Sequence, residues 1–244
     1  MLVLKGISIV IPAFNEVSTI RNVVKDVIFV VSRISGISFY EVIVVDDGST
    51  DGTLKVVKDL NVVVLKNEVN KGKGYALRRG FRRARGEVIV TLDADGSHFP
   101  EDLPLVIAPL LKGEVDMVIG SRFGHKQAFF TRALNIAGNS LFNIFFYILT
   151  GRRFSDSQSG FRAFKRDILG VLNLSAKSYD IESEMLMEAL MKNLCIKEVS
   201  IRCIPRLCGG LGIRSFRDGY KILKRIFLSY FKAVCDKKKA DYER

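Results

Sequence analysis

The sequence predicts an α/β fold in which helices cover both faces of a largely parallel sheet. Strand-like apolar runs alternate with helix-like segments through residues 1–122, an order typical of βαβ units. These apolar runs are continuous, as expected of strands that are buried on both faces. Polar clusters also follow each of the first four predicted strands, at the edge where open α/β sheets bind their ligands.

The first half of the chain contains most of the predicted sheet. Ser18 is a plausible N-cap for the first helix, because a serine hydroxyl can accept a hydrogen bond from a free backbone N–H of the first turn. The predicted strands are residues 7–12, 41–46, 62–66, 87–92 and 116–120, and the predicted helices are residues 18–34, 74–84 and 100–111.

The second half is predicted to be more helical and more aromatic. An aromatic helix over residues 129–149 precedes a polar loop over 155–164, a helix near 181–191 and a short strand near 196–204. The last helix, over 216–234, has an apolar stripe beside several lysines and arginines. A basic amphipathic helix is typical of a membrane surface or a partner interface. Packing on its own domain explains the same pattern, and both interpretations stay open.

Length and composition limit the classes of protein. The 244 residues, 48% of them apolar, fit one domain or one domain with an appendage. No run reaches the roughly 18 apolar residues of a membrane-spanning helix. The N-terminus lacks the features of a signal peptide, so we expect a cytoplasmic protein. The four cysteines, Cys195, Cys203, Cys208 and Cys235, match no zinc spacing and are expected to be reduced.

The net charge of +12 indicates an anionic partner. Nucleic acid, an anionic membrane surface and an anionic substrate are the three candidates. No aromatic RNA-binding signature accompanies the basic residues, so we do not expect nucleic acid to be the partner.

The polar clusters at the strand ends are the main functional signal. Each one alone is compatible with a turn, since Asp-Gly and Ser-Thr-Asp-Gly are favourable turn sequences. Four clusters at successive strand ends instead predict a shared crevice. Asp93 and Asp95, with one residue between them, are suited to a divalent cation that neutralises a diphosphate. The clusters are 12–16, 46–52, 71–74 and 93–95.

These motifs resemble family 2 glycosyltransferases of the GT-A fold, in particular the dolichol-phosphate mannose and glucose synthases. The similar stretches are VIPAFNE (10–16), VVDDGSTDGT (44–53), NKGKGYALRRGF (70–81), LDADGSHFPEDL (92–103), GSRF (120–123) and DSQSGFRAF (156–164). They extend over about residues 5–205. The resemblance implies a GT-A domain over 1–205, with a nucleotide-sugar half (1–122) and an acceptor half (123–205). Residues 206–244 would form a basic amphipathic helix and tail. This helix and the aromatic helix over 129–149 would be two interfacial helices toward the C-terminus.

The resemblance also implies an activity. It is the inverting transfer of a hexose, mannose or glucose, from GDP-mannose or UDP-glucose to dolichyl or polyprenyl phosphate. Mg²⁺ or Mn²⁺ would be the cofactor, and the protein would lie at the cytoplasmic face of the membrane. N-acetylglucosamine remains open as the sugar. A lipid phosphate is already anionic near neutral pH, so direct displacement needs little help from a general base.

The same resemblance implies roles for particular residues. Asp93 would contact the donor, and the metal would be bound by Asp95, with Asp93 and Ser97 as the other ligands. Ser97 stands where many relatives carry a glutamine ligand. Asp156 would orient donor or acceptor. The nucleotide-sugar pocket would include Pro12, Ala13, Asn15, Glu16, Asp47, Lys73 and Ala94, and the acceptor phosphate would meet Arg122, Arg132 and Arg206.

Several assignments stay open at this stage. Lys73 fits either the donor site or a solvated loop, and Arg162 fits either the phosphate or a structural ion pair. His98 follows the carboxylates closely enough to contact metal or phosphate. A family 2 enzyme with a soluble or glycan acceptor is the main alternative function, followed by a non-catalytic nucleotide-sugar sensor.

Overall fold

The computed structural model describes residues 5–123, 133–204 and 216–242 of the chain. This part of the chain forms one seven-stranded sheet with helices on both faces, which confirms the predicted fold class. The strands are β1 (Lys5–Ala13), β2 (Ile37–Asp46), β3 (Val63–Lys66), β4 (Val88–Thr91), β5 (Met117–Ser121), β6 (Arg162–Lys165) and β7 (Ile196–Ser200). The helices are α1 (Ile20–Val31), α2 (Lys73–Arg83), α3 (Leu103–Leu111), α4 (Ala133–Thr150), α5 (Ile181–Met191) and α6 (Phe216–Tyr242).

The strand order, β3-β2-β1-β4-β6-β5-β7, places a topological switch between β1 and β4. The chain moves outward from β1 through β2 to β3, then returns to the other side of β1 to form β4. Ligands of open α/β sheets bind at the carboxyl ends of the strands beside such a switch. The four predicted clusters therefore follow four neighbouring strands.

The strands are apolar on both faces because both faces are covered. Successive residues of β1 point to opposite faces of the sheet. Ile9 belongs to one hydrophobic cluster and Val10 to another. One cluster lies against α1 and α3, and the other against α2 and α5. A third cluster joins α4, α5 and α6 through Phe142, Leu186 and Ile226.

Strand β6 is the main element that the sequence did not predict. It lies inside and just beyond the predicted polar loop 155–164 and runs antiparallel to both β4 and β5. Helix α1 also begins differently, since its N-cap is Thr19 rather than Ser18. The Thr19 hydroxyl donates to the carbonyl of Ala94 at 2.8 Å instead of capping the helix. A contact with residues 93–97, the turn after β4 that contains Asp93 and Asp95 and is called the carboxylate turn below, thus replaces the predicted cap.

Two other predictions concern the helices and the cysteines. Helix α6 continues to Tyr242, beyond the predicted end at residue 234. Of the helices in the described ranges, none combines the length and the hydrophobicity needed to span a bilayer. Cys195, Cys203 and Cys235 form no disulfide within the described residues, and Cys208 lies outside them.

Candidate active site

The four strand-end clusters meet at one edge of the sheet. The first and second are joined by the backbone N–H of Asn15, which donates to the Ser49 hydroxyl at 2.9 Å. The third and fourth are joined by Lys73, whose Nζ lies 2.6 Å from Oδ1 of Asp93. With the bond from Thr19 to Ala94 and the bonds from Lys71 and Gly72 to Asp47, these contacts hold the four clusters together at this edge.

The end of β1 is connected to this edge of the sheet through its main chain. Ala13 is buried in the core, and its carbonyl accepts the N–H of Asp47 at 2.8 Å. Pro12 pairs with Val45 in the neighbouring strand. Asn15, which follows, is exposed and has a left-handed φ of 55°, a conformation that asparagine tolerates better than most residues.

Two acidic side chains border the predicted nucleoside pocket. Glu16 is 6% exposed. Asp47 accepts hydrogen bonds from the Asn67 amide at 2.7 Å and from the backbone N–H groups of Lys71 and Gly72 at 3.0 and 2.7 Å. Three donors use most of the accepting capacity of the Asp47 carboxylate. Its clearest role is therefore to fix the loop that carries Lys73.

Glycine is required where that loop enters α2. Gly72 has φ +96° and lies against the Lys177 carbonyl, with which an added Cβ would clash. A Cβ added at Gly74 would likewise clash with the carbonyl oxygen of Ala176. Because the backbone can approach this neighbouring loop, Lys73 points inward instead of toward solvent.

Lys73 lies between two carboxylates and is not a solvated loop lysine. Its Nζ is 2.6 Å from Oδ1 of Asp93 and 2.7 Å from Oε1 of Glu182, and its side chain is 14% exposed. Burial lowers the pKa of Lys73, but the two carboxylates outweigh burial and raise it above its ordinary value. Burial raises the pKa of Asp93, but the positively charged groups around it, chiefly the ammonium of Lys73, together lower it below its ordinary value, so the carboxyl is ionised.

Gly160 closes over this ion pair. A Cβ at this position would lie 2.6 Å from Oδ2 of Asp93 and 2.9 Å from Nζ of Lys73. The Gly160 carbonyl accepts the hydroxyl of Thr91, the last residue of β4, at 2.7 Å. The loop that precedes β6 is therefore part of the site.

Asp95 and Ser97 form the part of the turn that best fits a divalent cation. Oδ1 of Asp95 accepts the backbone N–H and the hydroxyl of Ser97 at 3.0 and 2.7 Å, which fixes the carboxylate. Within the described ranges, no group of three or more His, Cys, Asp or Glu side chains could enclose a metal. Two carboxylates on one turn still fit Mg²⁺ or Mn²⁺, because substrate phosphates and water commonly supply the other ligands. Asp95 and Asp93 would hold the ion, and Ser97 orients Asp95.

Arg122 forms a bidentate ion pair with Asp156. Its Nε and Nη2 donate to the two carboxylate oxygens at 2.7 and 2.8 Å, and its backbone N–H donates at 3.1 Å. Asp156 is fully buried, and its own N–H donates to Glu198 at 2.9 Å. Burial lowers the pKa of Arg122, but the ion pair with Asp156 has the larger, opposite effect and raises the pKa above its ordinary value. The guanidinium therefore remains charged. The same guanidinium helps to lower the pKa of Asp93, which links the predicted acceptor side to the carboxylate turn.

Within the described part of the chain, Arg162 makes its hydrogen bonds to backbone carbonyl groups. It is 1% exposed, and its guanidinium donates to the carbonyls of Ser159, Glu182 and Ser157 at 2.9, 2.6 and 2.6 Å. Burial lowers its pKa to about 10. Arg162 therefore joins the loop before β6 to the start of α5.

His98 lies beneath the carboxylate turn. It is 4% exposed and packs edge-on against Phe161, with ring centroids 5.6 Å apart. Neither ring nitrogen has a hydrogen-bond partner within the described residues. Burial lowers the pKa of His98, with Asp93 opposing this effect and Arg122 adding to it, so the imidazole is neutral at pH 7.

Two predicted acceptor residues, Arg132 and Arg206, lie outside the described residues. Conversely, sequence reasoning did not identify Glu182 and Gly160 as parts of the site. A signal for Glu182 exists in the run IESEMLME, where three glutamates share a helix that is otherwise buried. Gly160 gave no such signal, since its role depends on the unpredicted β6.

Comparisons with known proteins agree with this architecture. The model of glycosyl transferase family 2 matches residues 8–172. A UDP-N-acetylglucosamine–dolichyl-phosphate N-acetylglucosaminyltransferase from Methanococcus voltae is 33% identical over 95% of this chain and 99% of its own length. A dolichyl-phosphate beta-glucosyltransferase from Dictyostelium discoideum is 30% identical over 80% of this chain and 65% of its own.

Among solved structures, the glucosyl-3-phosphoglycerate synthase of Mycobacterium tuberculosis, in complex with Mn²⁺, UDP and phosphoglyceric acid, has a similar fold. The TM-score is 0.73 at 24% identity, covering 93% of this chain and 78% of that one. This likeness concerns the fold, and it confirms the architecture that the sequence predicts.

Proposed function

The chain belongs to glycosyl transferase family 2, and from this premise we propose that it transfers one sugar from a nucleotide sugar to dolichyl or polyprenyl phosphate. Candidate donors are UDP-N-acetylglucosamine, UDP-glucose and GDP-mannose. The names of the two relatives support a lipid-phosphate acceptor. The reaction would take place at the cytoplasmic face of the cell membrane.

The donor would lie over the carboxylate turn. A divalent cation held by Asp95 and Asp93 would stabilise the leaving nucleoside diphosphate as its negative charge develops. Asn15, Glu16 and Asp47 border the region where the nucleoside would bind. Lys73 would add a positive charge beside the sugar and diphosphate.

The acceptor phosphate would bind at Arg122. The ion pair with Asp156 uses Nε and Nη2 of the guanidinium and fixes its plane, and the remaining N–H groups would contact the phosphate. Because the phosphate oxygen is already anionic, it would attack the anomeric carbon without losing a proton. Asp156 would therefore orient Arg122 and would not act as a base.

The observation that carries the lipid acceptor is the position of α4. Asn139 and Asn143 of this helix both donate to the carbonyl of Ser155, beside the Arg122–Asp156 pair. About half a turn away, the helix presents apolar side chains to solvent, including Ile144 and Ile148, which are 54% and 68% exposed. A lipid could therefore lie along α4 while its phosphate reaches the site.

Helix α6 would enlarge this apolar face. The rings of Phe145 and Phe227 lie 5.4 Å apart and join the two helices. Phe231 is 57% exposed, and the adjacent Lys232 of α6 is exposed as well. Exposed apolar residues beside lysines are suited to an anionic bilayer surface. The exposed apolar residues of the two helices are Leu141, Ile144, Tyr147, Ile148, Tyr220, Leu228 and Phe231.

The decisive experiment uses the full chain with each of the three donors, Mg²⁺ or Mn²⁺, and polyprenyl phosphate in anionic liposomes. Mass spectrometry should detect one glycosylated lipid phosphate and identify its sugar. Polyprenol without the phosphate is the matched acceptor control and should give no product. Transfer to a soluble acceptor alone would exclude the proposal.

Membrane contact has its own test. We expect the chain to float with phosphatidylglycerol liposomes and expect Ile148→Glu to weaken this association. The exposed position of Ile148 means that the variant should remain folded. A wild-type chain that stays in the soluble fraction would argue for a soluble or glycan acceptor.

A further inference from the structure

Glu182 is a buried charge close to the carboxylate turn that the proposed chemistry does not use. It occupies the first turn of α5 and is 4% exposed. Its Oε1 lies 2.7 Å from Nζ of Lys73, which is itself 2.6 Å from Oδ1 of Asp93. Lys73 thus lies between Asp93, which would contact the cation, and Glu182, which would not.

The surrounding structure holds these three side chains in place. Arg162 donates to the carbonyl of Glu182 at 2.6 Å, which ties the start of α5 to the loop before β6. Gly160 of that loop lies against the Asp93–Lys73 pair. Lys73 enters from the opposite side, on a backbone that Gly72 and Gly74 allow to approach closely.

We propose that Glu182 is a positioning residue that holds Lys73 and thereby preserves the negative charge of Asp93 for a divalent cation. The inference rests on the proposed function. Two carboxylates and one ammonium give this trio a net charge of −1. Without the charge of Glu182, the ammonium would neutralise Asp93 completely and would compete with the cation for its Oδ1.

The expected size of the effect follows from Coulomb's law. At an effective dielectric constant of about 20, a unit charge and a divalent ion roughly 8 Å apart interact strongly enough to change affinity by more than tenfold. Partial screening by water reduces this figure. We therefore expect Glu182→Gln to weaken Mn²⁺ binding on the order of tenfold.

The double variant provides the critical test. Lys73→Met combined with Glu182→Gln removes one positive and one negative charge, so the site again carries a charge of −1. Mn²⁺ affinity should then return to within about threefold of the wild type, since no ammonium competes for Asp93. A purely structural role for Glu182 predicts the opposite, because the double variant has lost more of the native contacts.

The measurement is Mn²⁺ binding to the full chain, followed by the electron paramagnetic resonance signal of the free ion, with UDP or GDP present. Glu188→Gln is the matched control. Glu188 is a buried glutamate of the same helix, 3% exposed, and it accepts the N–H of Asn173 at 3.1 Å, away from the site. Its replacement should leave Mn²⁺ affinity unchanged. Circular dichroism establishes that each variant is folded.

The outcomes separate this inference from the proposed function. Weaker Mn²⁺ binding in Glu182→Gln with recovery in the double variant supports the role of Glu182. Unchanged binding in the single variant, or a double variant as weak as the single one, overturns that role. A wild-type chain that binds no Mn²⁺ with either nucleotide would instead overturn the proposed function.

Discussion

Replacing Gly160 by alanine should damage the site far more than the fold. The Gly160 backbone does not adopt a left-handed φ, so alanine introduces no backbone strain there. Its Cβ would lie 2.6 Å from Oδ2 of Asp93, whereas ordinary van der Waals contact begins at 3.4 Å. The carboxylate must therefore move by about 0.8 Å, the difference between these two distances, and Lys73 must move with it.

The two consequences differ in size because only side-chain ends have to move. A crowded substitution of this kind costs about 1 kcal/mol, which lowers the Tm of a chain of this length by about 2–4 °C. A displacement approaching 1 Å in a group that orients the donor can reduce turnover about 10²-fold. We therefore expect a large loss of kcat/KM with a nearly unchanged melting curve.

The assay pairs sugar transfer with thermal melting, and Gly170→Ala is the matched control. Gly170 has open space around its Cβ position and lies beyond β6, so both measurements should stay at the wild-type level. Normal turnover in Gly160→Ala would refute the placement of Asp93 and Lys73 at the reaction centre. A collapse of Tm would refute the claim that the contact belongs to the site alone.

Three further predictions address the metal, the acceptor pair and the response to acid. Asp95→Ala should abolish metal-dependent transfer without unfolding the chain, as measured by product formation and circular dichroism. Asp156→Asn leaves the Arg122 guanidinium without its counter-ion and should lower the free energy of unfolding by about 3 kcal/mol, measured by urea denaturation. The pKa of Asp116 is lowered by hydrogen bonds from the side chain of Lys165 and from the N–H of Cys195. The ionised Asp116 therefore stabilises the fold above its ordinary pKa of 3.8, and this stabilisation is lost as the pH falls through the lower pKa of the folded state. Asp116→Asn should accordingly reduce the drop in Tm between pH 6 and pH 3.

Each of these predictions can fail in a definite way. Metal-dependent turnover in the Asp95 variant would remove that residue from the cation site. An Asp156→Asn variant as stable as the wild type would mean that the buried pair is not held as the structure places it. An undiminished pH effect in the Asp116 variant would assign the acid sensitivity to other carboxylates.

The sequence predicted the parallel half of the sheet well because its signals are local. Continuous apolar runs mark β1, β2 and β4, and the polar residues after them mark the carboxyl edge. Strand β6 was missed because it has only four residues, Arg162–Lys165, and two of them are basic. Its strand conformation depends on the pairing with β4 and β5 on either side, which no local pattern encodes.

The same limit applies to the candidate site. Asp93 and Asp95 could be identified from their spacing, but the partners of Lys73 could not, since Glu182 lies more than a hundred residues further along the chain. Arg162 is a similar case. An arginine in a polar loop indicates a phosphate contact or a structural ion pair, whereas burial between carbonyl groups depends on the tertiary fold.

The antiparallel direction of β6 explains how the two halves of the chain form one site. Thr91, at the carboxyl end of β4, pairs with Arg162, the first residue of β6. The segment before β6 therefore lies at the same edge of the sheet as the carboxylate turn, and it brings Asp156 to Arg122 and Gly160 to Asp93. A parallel strand in this position would have left that segment at the opposite edge. The reversal of this one strand thus places the groups expected to meet the acceptor beside those expected to hold the donor.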